Sequence, residues 1–176
     1  MAKHDELKQL EDQIKIENAR VGYQVATNLW VNVGETLWSQ FNAFLVANSI
    51  VIASIVLSMT VLRRLAVFLI VMPVFGMILC FCWFLVIKRS FDYFNYYIKS
   101  SREIEEQYLS EPIQTISRGE KFAHSKEGAA IMIGGIKERS RMSCWGRLLP
   151  VRHVSYIIIV LFFLIYVAIL ITNSLN

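Results

Sequence analysis

The chain has 176 residues, 55% of them hydrophobic and 18% charged, with a net charge of +4 and a mean hydropathy of +0.46. Such values exclude an ordinary soluble domain unless the apolar residues are gathered into spans. About 110 residues lie outside the spans identified below, enough for one small helical layer but hardly for an independent catalytic domain.

Residues 1–40 read as a long amphipathic helix lying outside the membrane. Leu7, Leu10, Ile14, Val21 and Val25 form one apolar stripe, with Asp5, Glu6, Glu11, Asp12, Lys15 and Glu17 on the other faces. This spacing suits a helix packed on partners, but the heptads are too few for a coiled coil. Gly34 is a candidate break, and Trp30 and Trp38 have the ring chemistry that anchors a helix at headgroup level. The acidic, helical start is unlike a cleaved signal peptide, so the first span is expected to serve as an uncleaved insertion signal.

Residues 41–87 form a transmembrane hairpin. Two uncharged apolar segments, 41–62 and 65–87, are separated only by Arg63 and Arg64. At ~1.5 Å per residue each crosses a hydrocarbon core of ~30 Å. The first carries small residues at Ala43, Ala47, Ser54 and Ser58, close together on the helical wheel, which allow backbones to approach. Its polar groups are Asn42, Asn48 and Ser49, the candidate lining of a pore. An amide facing lipid is costly, so Asn48 faces either another helix, as an interhelical hydrogen bond, or water, as part of a pore lining. The second segment contains Pro73 and Gly76, and the proline predicts a kink near mid-membrane. A third uncharged run, 154–172, completes three spans, residues 153–176 forming the last helix and a short tail.

Orientation follows from lysine and arginine. Residues 1–40 hold four, residues 88–152 hold twelve, the hairpin tip holds Arg63 and Arg64, and residues 173–176 hold none. Three spans place the first two groups on one face, so the positive-inside rule predicts a cytoplasmic amino terminus and an outer carboxyl terminus. Arg63 and Arg64 then mark the outer tip and, in a ring, form a cationic collar that disfavours cations if it lines an opening.

In the cytoplasmic segment 88–152 the helical pattern continues to about Leu109, with Glu111-Pro112 ending it. Phe91, Tyr93, Phe94, Tyr96 and Tyr97 occupy more than one face, which predicts contacts with both the lead helix and another subunit. Residues 113–127 look like a polar connector, and 128–136 are apolar but interrupted by Gly134 and Gly135. The basic excess is concentrated just before the last span, in Lys137, Arg139, Arg141, Arg147 and Arg152. There it most simply meets anionic lipid headgroups. With no stacking platform or fold signature, nucleic acid is not the expected partner.

No phosphate-binding loop, nucleophile elbow, zinc motif or dinucleotide fingerprint occurs. Cys80, Cys82 and Cys144 make no disulfide or metal framework, the three histidines are scattered, and no cofactor is expected. One pattern bears on catalysis. Arg118 and His124 are separated by five residues, a spacing that Arg147 and His153 repeat. It is similar to the loose arginine–histidine motif of HEPN ribonucleases, in which arginine stabilises phosphate charge and histidine moves a proton. Twelve basic residues in the segment make chance matches common, and the expectation is a protein that is not an enzyme.

Taken whole, the lead helix, the aromatic and asparagine-bearing entry LWSQFNAFLVANS at residues 37–49, the tight hairpin and the late third span resemble RipA-like octameric bacterial inner-membrane proteins. That group includes the small pore protein accompanying type VI-B CRISPR systems. The resemblance implies a homo-oligomeric ring of eight copies and a pore used in antiphage defence. The expectation is thus an all-α, three-span membrane protein that self-associates. Its role is a pore or membrane-perturbing effector, or else a non-conducting scaffold recruiting a cytoplasmic protein, with a tethered ribonuclease third.

Overall fold

In the computed structural model, residues 2–61, 66–110 and 113–175 are described. The elements are α1 (Ala2–Val61), α2 (Ala66–Tyr108), α3 (Thr115–His124), β1 (Ala129–Ile133), β2 (Ile136–Ser140), α4 (Cys144–Leu148) and α5 (Val151–Leu175). Among the described residues, three helices are long and apolar enough to cross a membrane: α1, α2 and α5. The chain is therefore an all-α membrane protein with one small hairpin added. Arg63 and Arg64, and the Glu111-Pro112 helix stop, lie outside the described residues.

Gly34 does not break the first helix, because α1 continues through it. One glycine costs a helix about 1 kcal/mol, which the packing of neighbours such as buried Leu37 and Phe41 offsets. Pro73 is likewise inside α2, and buried.

Contacts divide the chain into two units, to both of which α1 and α2 contribute. Residues 34–92 and 149–176 form the apolar one. Its core comprises Leu37, Phe41, Val51, Ile55, Cys80, Trp83, Ile87, Phe91, Ile159 and Tyr166. Trp83 is fully buried and is the hub: Phe41, Phe44 and Phe162 lie with ring centroids 5.0, 6.0 and 5.9 Å from it. Lipid gives these helices no hydrophobic drive to pair, so such close ring packing and buried polar bonds carry the association.

Residues 1–33 and 93–148 form the second unit. Here α1 and α2 run antiparallel, with Trp30 against Phe94 at 5.6 Å and Tyr23 bonded to Glu105. The expected polar connector is instead largely helical, as α3, and the apolar stretch after it is a β-hairpin. β1 and β2 pair antiparallel from Ala129 with Ser140 to Ile133 with Ile136. Gly134 and Gly135 make the turn with φ of 59° and 83°, the left-handed backbone that a two-residue hairpin turn requires. Both glycines, read from sequence as an interruption, are therefore the reason the segment folds back on itself.

Candidate functional site

The apolar unit contains one polar knot. Asn48 is completely buried, and its side-chain amide donates back to the Phe44 carbonyl at 2.8 Å. Its Oδ1 accepts the Tyr166 hydroxyl at 3.0 Å and the Cys80 thiol at 3.3 Å. The Tyr166 hydroxyl also lies 3.1 Å from the Asn48 carbonyl oxygen. One amide thus joins α1 to α2 and α5, which is how a polar group is satisfied where no water reaches it. Replacing Asn48 with leucine removes the bonds to both Tyr166 and Cys80, leaving the tyrosine hydroxyl only the carbonyl and the buried thiol no acceptor, and is expected to cost about 1–3 kcal/mol. Replacing Tyr166 with phenylalanine in the same chain should recover part of that loss. Thermal melting of the purified complex checks it, and additive losses would contradict a shared bond.

The other sequence-derived lining residues are placed differently. Asn42 and Ser49 are both exposed and seven residues apart, two helical turns, so they share a face of α1. Asn48 is about 100° around the helix from Ser49 and faces the core. The Ser49 hydroxyl bonds to the Leu45 carbonyl at 2.8 Å, so its own helix satisfies it while it stays on that face.

Among the basic residues, Lys137 and Arg139 lie exposed on one face of β2, with Arg139 reaching Glu127 at 3.8 Å. Arg141 and Arg147 line a cavity of about 340 Å³ with Met142, Ser143 and Cys144. Arg152 is exposed at the start of α5, its guanidinium 5.6 Å from the Tyr156 ring centroid. Arg118 and His124 both belong to α3, where six residues set them about 120° apart around the axis and roughly 9 Å along it. Arg118 Nε donates to the Gln114 carbonyl at 3.3 Å, and His124 is exposed. A single copy of the chain therefore does not bring the pair onto one face.

Sequence reasoning did not identify Glu105, which organises the second unit. Its carboxylate is completely buried and accepts three hydrogen bonds from two other elements: the Tyr23 hydroxyl of α1 at 2.7 Å and the backbone N–H groups of Ile116 at 2.9 Å and Ser117 at 2.8 Å in α3. The N-cap residue of α3, Gln114, makes no side-chain cap, so a carboxylate from α2 does its work. Gln114 instead donates its amide to the Glu105 and Leu109 carbonyls at the end of α2, at 3.2 and 2.9 Å. Each helix thus caps the other. Burial by itself raises the Glu105 pKa, but the N–H groups and the Tyr23 hydroxyl overcome it and hold the carboxyl below its usual range. Burial, reinforced by this carboxylate, pushes Tyr23 up to about 12. Nothing local marks Glu105 among the acidic residues at 103, 105 and 106, because the groups that select it are supplied by α1 and α3.

A family model described as the octameric membrane protein family (8xMP) matches residues 22–175. The chain belongs to that family. Comparison with curated proteins and with solved structures finds no match. The 8xMP match covers all three apolar segments, the Asn48 knot and the Glu105 cap. It begins after Leu7, Leu10 and Ile14, so most of the amphipathic stripe of α1 precedes the part shared with the 8xMP model. Self-association, expected from the small-residue and aromatic surfaces, is thus a described property of the family.

Proposed function

We propose that the protein assembles as an octameric ring that opens or perturbs a membrane, with the Asn42–Ser49 face of α1 toward the opening. The observation that carries this reading is the split between the asparagines. Asn48 is satisfied inside the three-helix core, whereas Asn42 stands exposed with Ser49 on the uncharged, mostly apolar stretch of α1 after residue 40. A lipid-facing amide is expensive, and a water-lined face removes that cost. Assembly has surface to draw on: Leu7, Leu10, Ile14, Val21 and Val25 are each at least half exposed, an apolar stripe at helical spacing suited to another copy.

The positive-inside rule supports a cytoplasmic amino terminus, with the basic residues from Lys137 to Arg152 at anionic headgroups, and the sequence resemblance supports an inner membrane. Antiphage defence is supported by the sequence resemblance alone. The protein acts without catalysis on this reading, and disagreement would come from loss of RNA cleavage in both Arg118→Ala and His124→Ala. An apolar crevice of about 260 Å³ between α3 and the hairpin, lined by Arg118, Phe122 and Ile131 among others, favours a second reading as a scaffold for a protein partner.

The test is dye or ion efflux from liposomes holding the purified oligomer, whose mass is measured intact. Wild type is expected to leak, and Asn42→Leu with Ser49→Leu to leak roughly tenfold less at unchanged mass. Leu10→Asp with Ile14→Asp should lower the mass. A tight wild-type liposome sinks the pore reading and leaves the scaffold.

A further inference from the structure

The tip of the β1–β2 hairpin is built unlike a water-facing turn. Its sequence, from Ile131 to Ile136, is IMIGGI and has no polar side chain. A two-residue turn of this kind favours Asn-Gly, Asp-Gly or Gly-Gly, and this one takes the pair without a polar side chain. Here both positions are glycine, and a Cβ at either would meet nothing within 4 Å. The turn therefore stands clear of the described residues. Met132 and Ile136 beside it are 65% and 73% exposed, among the most exposed large apolar side chains of the chain.

Charge lies directly behind this apolar tip. In the antiparallel register Met132 pairs with Lys137 and Ala130 with Arg139, so strand alternation puts both cations on the Met132 face. The Arg139–Glu127 contact is exposed on both sides and long, a weak pair that a phosphate readily replaces. Residues 136–152 contain five lysines and arginines and one acid, Glu138. The covalent path also restricts where the hairpin goes. Ten residues lie between Ser140 and Val151, the first residue of the apolar helix α5, a tether of at most ~40 Å over the eleven steps from one to the other. Each strand extends ~17 Å.

We propose that this hairpin is a membrane-interface anchor, with Met132 and Ile136 entering the edge of the bilayer and Lys137 and Arg139 contacting anionic headgroup phosphates. The depth is limited by the turn itself. Its backbone N–H and C=O groups need hydrogen-bonding partners, which the headgroup layer supplies and the hydrocarbon core does not. The inference deepens the headgroup reading above at one element, and adds apolar insertion, which net charge alone does not imply.

An environment-sensitive dye at Ile136→Cys, in full-length protein carrying Cys82→Ala and Cys144→Ser, tests it in nanodiscs. Cys80 is buried and is retained. With phosphatidylglycerol present, quenchers attached high on the lipid acyl chains are expected to dim the dye at least about twofold, as for an interfacial segment. The same dye at Met132→Cys should behave alike, and at Lys121→Cys, on exposed α3, it should not be quenched. Equal quenching in neutral phosphatidylcholine upholds insertion while removing the headgroup reading. Quenching at neither Met132 nor Ile136 overturns the anchor, as does a zero-length crosslink from these positions to a second copy in place of lipid quenching.

Discussion

Leucine at position 76 is expected to prevent α2 and α5 from packing, and alanine there to cost about 1–3 kcal/mol. A Cβ at Gly76 would lie 2.4 Å from two atoms of the Tyr166 ring and 2.7 Å from a third. A tyrosine at a surface would swing away. Tyr166 is fully buried, and its hydroxyl is held by both the carbonyl and the side chain of Asn48, so it has no free direction in which to move. The ring lies on bare backbone, the close approach that small residues permit between membrane helices. The measurement is the melting temperature of the detergent-solubilised complex. Gly76→Ala should lower it, and adding Tyr166→Leu should make the alanine harmless, because the obstructing ring is gone. An unchanged melting temperature in Gly76→Ala alone would refute the ring-on-backbone contact.

Glu105→Ala is expected to release α3 without disturbing the apolar unit. It leaves two backbone donors and the Tyr23 hydroxyl without their acceptor, at roughly 1–3 kcal/mol for each buried donor left unmet. Limited proteolysis should then cut within residues 113–128, where the wild type resists, while the complex keeps its mass. Glu105→Gln retains one acceptor oxygen and should fall between the two. The same cap has a predictable response to acid. Because the folded pKa of Glu105 is lowered, its contribution is fully present above the ordinary carboxyl value of 4.5 and is lost as pH falls below that value through the lower folded one. Tyr23 sets the alkaline limit: with its folded pKa raised to about 12, its contribution is complete below 10 and disappears as pH climbs through that range. Protease sensitivity of the wild type should therefore rise in acid well below neutrality and stay flat from pH 6 to 9. A rise near pH 6.5 would point to a histidine instead.

Some of the fold was legible residue by residue. Long uncharged runs identify the membrane helices because span length and hydropathy are properties of the run itself. The contact of the lead helix with the extension of the second span was legible for a related reason: a two-span hairpin brings their ends to one face. Asn48 was recognisable as a polar group needing a partner, but the partner was not. Tyr166 lies 118 residues away in an apolar stretch, where one tyrosine among IIIVLFFLIYVAIL was the available signal. Local readings failed where the stabilising group is remote. The start of α3 has no Ser, Thr, Asp or Asn cap, so the segment reads as a connector, the cap being supplied from α2 by Glu105.

The sequence by itself determined that this is an all-α, three-span membrane protein with a basic segment before its last helix, because length, hydropathy and charge are additive along the chain. Tertiary structure decided which polar side chains are spent on holding it together and which remain available. Asn48 and Asn42 are the same residue type six positions apart on one helix, yet one is enclosed by Tyr166 and Cys80 and the other is exposed. That difference comes from which helix face meets α2 and α5. Periodicity in α1 alone does not contain it, since a helix records its own faces but not what packs against them.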